Sequence, residues 1–177
     1  ALVSNLATAA PKLGAIASAH PLATEAGFEV LAAGGNAFDA AVAISAVLGV
    51  VEPSSSGFGG GGFWLLHDQK SGEQVMIDGR EKAPGAAHRD MYLDEQGEFQ
   101  RLSSLNGPLA AGIPGLPAAL VTLTDEYGKR SLADNLAAAE RIAREGFVAD
   151  QHYLKMAKIR LEALRASPAA SAVFLDQ

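Results

Sequence analysis

The chain has 177 residues, of which 49% are apolar and 19% charged, and this composition is typical of a folded domain rather than a disordered segment. Its 14 basic and 20 acidic residues give a net charge of −6, and no basic run interrupts that balance, so a nucleic-acid surface is not expected. The absence of cysteine excludes disulfides, thiolate metal sites and a cysteine nucleophile. No membrane span is expected either, because the most apolar segment, residues 37–51, is shorter than a bilayer requires and contains Asp39.

The N-terminal part of the chain is predicted to form one strand and two helices. After a loose lead-in at residues 1–13, the apolar run at 14–19 is typical of a buried strand. Apolar side chains one helical turn apart predict a first helix over 21–33, which a pair of glycines ends. Asn36 is a suitable cap for a second helix over 37–50. That helix has almost no polar group, so we expect it to be covered on all sides.

The rest of the chain is predicted to form a hairpin followed by helices. Residues 63–67 and 74–78 are typical of two strands, and the polar segment between them has the composition of a turn. Residues 79–113 are expected to be mostly irregular. Apolar stripes then predict three helices, at residues 116–127, 132–145 and 154–164. This order of elements favours a layered α/β or α+β domain over residues 14–177 rather than a helix bundle or a sandwich.

A run of glycines at residues 57–62 matches the pattern G-x-G-x-x-G of dinucleotide-binding loops. That use requires a strand before the run and a helix after it, and here the order is reversed, so a nucleotide site is not favoured. Residues without Cβ allow positive φ angles and close approach of another segment or a ligand. Two interpretations therefore stay open: a tight turn, or a backbone wall formed by Gly59, Gly60 and Gly61 beside a substrate pocket.

Serines and histidines are present, but they are not spaced as a nucleophile with its base. Three serines stand together at residues 54–56 without the G-x-S-x-G elbow. The histidines are scattered and lack metal-ligand spacing: His20, His67, His88 and His152. The sequence accordingly predicts no catalytic residue, no metal site and no cofactor within this chain.

The strongest chemical candidate is Arg80, which follows the second predicted strand. The segment around it, residues 77–84, ends in a proline that favours an irregular path. An arginine presents a planar fork that can hold a carboxylate through two parallel hydrogen bonds. Arg80 would in that case bind a small acidic ligand. It could equally pair with Glu81, Asp78 or another acid of the protein.

Six motifs taken together resemble the γ-glutamyltransferase (γ-glutamyl transpeptidase) family. They follow one another in the family's order, at residues 17–27, 34–41, 51–57 with the adjoining glycine run, 78–84, 112–115 and 145–147. The likeness extends over residues 14–175, so the resemblance is far more specific than the glycine run alone.

The resemblance implies that the chain is the N-terminal portion, within the large subunit, of an N-terminal nucleophile hydrolase, an α/β fold of four αββα layers. In this family a precursor cleaves itself, and a threonine exposed at the start of the small subunit is the nucleophile while its own amine is the base. The donor is glutathione or a similar γ-glutamyl amide, and the acyl group passes to water or to an acceptor amino acid or peptide. The resemblance assigns the donor's α-carboxylate to Arg80, with Glu81 and Asp78 as possible supporting residues.

Two further functions are compatible with these motifs. A related amidase could act on a glutaryl-type cephalosporin side chain or on poly-γ-glutamate, and a non-catalytic binding domain could share the fold. Nothing in the chain resembles the small subunit and no threonine is placed for self-cleavage, so residues 1–177 alone are expected to be inactive. The resemblance favours the periplasm or secretion, although no signal peptide is visible, and a cytoplasmic location stays open.

Overall fold

The computed structural model describes residues 14–175, so the predicted lead-in lies outside the described residues. Within this range the chain forms helices around one two-stranded sheet, which confirms the predicted α/β (α+β) class. The elements are α1 (Pro21–Ala32), α2 (Ala37–Val51), β1 (Gly62–His67), β2 (Gln74–Gly79), α3 (Leu116–Thr122), α4 (Leu132–Glu145), α5 (Gln151–Ile159), α6 (Leu161–Ala166) and α7 (Pro168–Phe174). Two short 3-10 helices, Arg101–Ser104 and Pro108–Ala110, interrupt the irregular segment that was predicted between β2 and α3.

Local side-chain chemistry sets the boundaries of α1 and α2. The Nδ1 atom of His20 accepts a hydrogen bond from the backbone N–H of Leu22 and so caps α1. Just beyond the end of α1, Gly34 has a φ of 89°, a conformation that favours glycine. Asn36 and Asp39 then form a capping box at the start of α2, because each side chain accepts a hydrogen bond from the backbone of the other residue. The predicted cap is thereby confirmed.

Helix α2 lies at the centre of the core. All of its residues after Ala37 are buried or half-buried, as its lack of polar groups predicts. Helices α1 and α4 pack on one side of it, through Ala23, Ala26, Ala46, Val47, Val51, Ala138, Ala139 and Ile142. The sheet, α3 and the π-helical turn Leu123–Tyr127 that continues α3 pack on another side, through Val42, Leu66, Leu116, Leu120 and Leu123. Between residues 14 and 175, no helix combines the length and the apolar character that crossing a bilayer demands.

The predicted hairpin is present, with β1 and β2 paired in antiparallel register. Trp64 and Ile77 are opposite each other and face the core, whereas Phe63, Leu65 and Met76 are exposed on the outer face. This alternation follows from the two-residue period of a strand. The sheet therefore presents one apolar face to α3 and leaves the other face open.

A buried carboxylate joins α2 to the turn before α4. Asp39 is fully buried, and it accepts hydrogen bonds from the backbone N–H groups of Asn36, Lys129 and Arg130 and from the side-chain amide of Asn135 at 2.9 Å. Burial alone would raise the pKa of Asp39, but these hydrogen bonds outweigh it, so the pKa lies below its ordinary value of 3.8. The charged form of Asp39 is therefore part of the folded core.

Two sequence-based predictions about elements are wrong. Residues 14–18 do not form a strand, because no backbone hydrogen bond joins them to another segment of residues 14–175, and a strand requires a partner. The predicted helix at 154–164 is divided between α5 and α6, with Arg160 between them in a non-helical conformation. Nothing in the structure explains this division. Further along, Pro168 begins α7, as expected for a proline in the first helical turn.

Candidate functional site

Arg80 lies immediately after β2, where the chain leaves the sheet. Its backbone N–H donates a hydrogen bond to Oδ1 of Asp78 at 3.0 Å, which turns the chain at the end of the strand. Lys82 then pairs with Ile113 through two backbone hydrogen bonds of 3.0 and 2.8 Å. The segment that carries Arg80 is thus held at both ends, as a binding side chain requires.

The Arg80 side chain lines a cleft of about 600 Å³ between the end of α2, the loop that follows α2 and the glycine run. Arg80 contributes a cation and Glu81 a carboxylate to the lining of the cleft, and glycines of the run contribute bare backbone. Its lining residues are Ser45, Leu48, Gly49, Pro53, Ser55, Ser56, Gly57, Gly59, Gly60, Gly61, Arg80, Glu81 and Leu116.

The guanidinium of Arg80 is partly engaged and partly free. Its Nη2 atom lies 3.0 Å from Oε2 of Glu81, and its Nη1 atom donates to the carbonyl oxygen of Gly61 at 3.4 Å. The side chain remains 52% exposed. A guanidinium has more N–H donors than these two contacts use, so donors remain for a further partner. Arg80 therefore does pair with Glu81, and this pairing still leaves a cation available to a ligand.

Within the glycine run, close approach of another backbone segment explains Gly61. A Cβ atom on Gly61 would collide with the carbonyl of Gly79 and would lie 2.8 Å from the Cα atom of Arg80. The carbonyl of Gly60 accepts hydrogen bonds from the backbone N–H groups of Gly115 and Leu116 at the start of α3. None of residues 59–62 has a positive φ, so left-handed backbone is not the reason for these glycines. The run turns at Gly60 and also forms a cleft wall, so both interpretations of it describe part of the structure.

Alanine substitutions at two glycines of this run test whether close contact with another backbone segment is the reason for a glycine. Gly61→Ala should lower the free energy of unfolding by about 1–3 kcal/mol, because the new methyl group must displace the backbone of Gly79 and Arg80. Gly59→Ala should leave stability nearly unchanged, since no described atom lies within 4 Å of the position of its Cβ. Urea denaturation of the two variants measures both effects. Equal stability of the two variants would contradict the close-approach explanation.

The structure brings most of the predicted site residues together. Arg80, Glu81, Gly59, Gly60 and Gly61 all line one cleft. Asp78 does not line the cleft, and its carboxylate instead accepts a hydrogen bond from the backbone N–H of Arg80.

Sequence reasoning missed the contribution of α2 to the cleft. Ser45 and Gly49 line the cleft, in a helix that is otherwise apolar after Asp39. Gly49 also lies close to the loop, since a Cβ there would be 3.3 Å from the Cα atom of Gly57. A polar serine and a glycine one turn apart in an apolar helix were the available signal.

Among the described residues, the hydroxyls and imidazoles are not arranged as a nucleophile with its base. None of their seryl hydroxyls forms a hydrogen bond to an imidazole, and no histidine lines the cleft. No group of three or more metal-ligating side chains occurs between residues 14 and 175. The cleft thus combines the guanidinium of Arg80, the carboxylate of Glu81, seryl hydroxyls and bare glycine backbone.

Comparison with known proteins identifies the fold and the family. Residues 23–177 match the gamma-glutamyltranspeptidase family. The chain is 44% identical over 140 residues to the glutathione hydrolase proenzyme of Bacillus subtilis, and the matched stretch covers 78% of this chain and 24% of that protein. The chain therefore spans about a quarter of the length of that curated relative.

Solved structures agree with this. The gamma-glutamyltranspeptidase of Helicobacter pylori superimposes with a TM-score of 0.91 at 39% identity, over 95% of this chain and 48% of the other. A cephalosporin acylase from Bacillus halodurans superimposes with a TM-score of 0.70 at 28% identity, over 89% of this chain and 31% of the other. These neighbours confirm the predicted fold as part of the N-terminal nucleophile hydrolase architecture. The chain belongs to the gamma-glutamyltranspeptidase family.

Proposed function

We propose that the protein containing this chain transfers or hydrolyses the γ-glutamyl group of glutathione or a similar amide. The nucleophile would be a threonine at the start of a small subunit, which self-cleavage of the same precursor would expose, and it would form an acyl-enzyme that water or an acceptor amine resolves. We further propose a periplasmic or secreted location. This chain would contribute one end of the donor pocket and none of the catalytic groups.

The observation that carries the proposal is the half-exposed guanidinium of Arg80, which lines a cleft together with bare glycine backbone. A γ-glutamyl donor carries an α-carboxylate at one end and the scissile amide at the other, so a cation that binds the carboxylate would orient it. Two parallel N–H to carboxylate bonds hold a ligand in both position and angle. Arg80 would therefore hold the carboxylate end of the donor in the cleft.

Glu81 would support this role by holding one edge of the guanidinium, as its 3.0 Å ion pair indicates. Asp78 would act further back, by fixing the backbone turn that places Arg80. The walls formed by Gly59, Gly60 and Gly61 have no side chains, so a donor could approach the backbone closely.

A second candidate function is an amidase for glutaryl groups, and the structural similarity to a cephalosporin acylase is the observation that favours it. A glutaryl group retains the carboxylate of a γ-glutamyl group but lacks its α-ammonium. Arg80 would serve both donors equally, so the choice between them depends on groups that recognise the ammonium.

The two functions are separated by assaying the complete protein with γ-glutamyl and glutaryl p-nitroanilides. We expect kcat/KM to be at least about tenfold higher for the γ-glutamyl donor, because an ammonium bound by hydrogen-bonded acceptors is worth roughly 1.5–3 kcal/mol. Faster release of nitroaniline from the glutaryl donor would establish the second function. Failure to cleave either donor, together with a precursor that stays in one piece on a denaturing gel, would indicate a non-catalytic binding domain.

A further inference from the structure

The segment at residues 112–115 leads directly into α3 and contacts the chain where it leaves β2. Ile113 exchanges two backbone hydrogen bonds with Lys82, of 3.0 and 2.8 Å. Two residues further on, the backbone N–H of Gly115 donates to the carbonyl oxygen of Gly60 at 3.2 Å. Backbone hydrogen bonds therefore tie this segment both to the residues that follow β2 and to the glycine run.

Gly115 lies against the backbone of Gly79 and Arg80. A Cβ atom on Gly115 would collide with the carbonyl oxygens of both residues and would lie 2.6 Å from the carbonyl carbon of Gly79. The φ of Gly115 is −103° and its ψ is −22°, so no left-handed conformation requires a glycine here. Close approach to the backbone that carries the Arg80 side chain is therefore what excludes a side chain at this position.

Gly112 makes a similar but looser contact with the residue that follows Arg80. A Cβ atom on Gly112 would lie 3.1 Å from the Cβ atom of Glu81. This distance is shorter than ordinary packing allows, so Glu81 would have to move by a few tenths of an ångström. Because Nη2 of Arg80 lies 3.0 Å from Oε2 of Glu81, a displaced Glu81 also changes where the guanidinium is held.

These contacts are internal to residues 60–116, so further segments that cover the chain in the complete protein would leave them in place. Gly61 approaches the same backbone from the glycine run, since a Cβ atom there would lie 2.8 Å from the Cα atom of Arg80. Glycines of two separate segments, Gly61 and Gly115, thus contact the backbone from which the guanidinium projects. A side chain on either glycine would displace that backbone.

We propose that Gly112 and Gly115 are positioning residues for the donor's α-carboxylate, and that they act through Glu81 and Arg80. The inference rests on the proposed function. Gly115 sets where the backbone of Arg80 lies, and Gly112 sets where Glu81 holds the edge of the guanidinium. Two parallel hydrogen bonds to a carboxylate require both N–H donors to be aligned, so a displaced guanidinium binds the donor more weakly.

Alanine substitutions at both positions in the complete protein test this with the γ-glutamyl p-nitroanilide. Gly115→Ala should raise the donor KM roughly tenfold and Gly112→Ala roughly two- to fivefold, because a binding group misplaced by a fraction of an ångström loses alignment with its ligand. Gly85→Ala is the matched control. No described atom lies within 4 Å of its Cβ position and its φ is not positive, so the KM of this variant should equal that of the wild type.

The split between KM and kcat separates positioning from folding. A variant that is only partly folded loses active enzyme, which lowers the apparent kcat and leaves KM unchanged. That result for Gly112→Ala, or an equal rise in KM for Gly85→Ala, overturns the proposal. Gly112→Ala is the milder substitution, so it decides the matter even if thermal unfolding shows that Gly115→Ala does not fold.

The decisive arm is Gly112→Ala made in an Arg80→Ala background, where no further loss of kcat/KM is expected because the guanidinium is gone. An equal loss in both backgrounds overturns the positioning role while the proposed function stands. If Arg80→Ala itself leaves the donor kinetics unchanged, the proposed function fails and the roles of the two glycines fail with it.

Discussion

Replacing Arg80 by alanine in the complete protein should raise the donor KM by roughly 100-fold and lower kcat only slightly. Each hydrogen bond between a guanidinium and a carboxylate is worth about 1.5–3 kcal/mol, so the loss of a bidentate pair reaches this size. The change also leaves Glu81 without its 3.0 Å partner, and its uncompensated charge would repel a carboxylate in the same cleft. Steady-state kinetics with a γ-glutamyl p-nitroanilide measures the effect.

Arg80→Lys should recover little of this loss. A lysine keeps the positive charge but not the planar fork, and the three N–H donors of its ammonium diverge from one nitrogen, so they cannot form two parallel bonds to one carboxylate. Rescue to wild-type KM by lysine would show that charge alone is needed and would contradict the bidentate role.

Arg89→Ala is the matched control for Arg80→Ala. Arg89 also pairs with the acid that follows it, Asp90, at 3.2 Å, but its side chain is 93% exposed and does not line the cleft. We expect no change in KM for this variant. A similar KM increase in both variants would mean that loss of a surface charge, rather than loss of a donor contact, explains the effect of Arg80.

Replacing Asp39 by alanine should destabilise the protein by about 3–5 kcal/mol. The substitution removes the acceptor of the Asn135 side-chain amide and of backbone N–H groups at Asn36, Lys129 and Arg130. Donors in a fully buried site find no water in exchange, so each unsatisfied group adds to the loss. Urea denaturation of the complete protein measures the change.

Asp134→Ala is the control for position in a helix. Asp134 is also in the first turn of a helix and also contacts a capping residue, Ser131, but it is exposed. Its loss should cost less than about 1 kcal/mol, as is usual for an exposed cap contact. Equal destabilisation by the two substitutions would contradict the role assigned to the buried cluster.

Low pH should weaken the buried hydrogen-bonded cluster around Asp39. The folded-state pKa of Asp39 is below its ordinary value of 3.8, so the unfolded state binds the proton more readily. Asp39 therefore makes its full contribution to stability above its ordinary pKa, and this contribution is lost as the pH falls through the folded-state pKa. The difference in unfolding free energy between wild type and Asp39→Ala should be constant near neutral pH and should shrink below about pH 4.

Elements whose signals are local could be predicted from the sequence. Asn36 and Asp39 form a cap because the partners are three residues apart, and the hairpin follows from alternating apolar residues around a polar turn. The run at residues 14–19 has the composition of a strand, but a strand also needs a partner, and none of residues 14–175 provides one. The periodicity of the C-terminal stripe likewise did not reveal the division at Arg160.

The sequence by itself determined the family and the order of α1, α2, the hairpin and the helices after it, and it made Arg80 the candidate for carboxylate binding, since these depend on motifs and on neighbours along the chain. Only the tertiary structure decided that Arg80 shares a cleft with Ser45 and Gly49 of α2, and that Gly115 lies against its backbone. The tertiary structure also explains why Gly61 lacks a side chain, because the backbone that a Cβ atom would meet there lies at the end of β2. The physical reason is that contacts between distant segments depend on how elements pack, and local propensity carries no information about that packing.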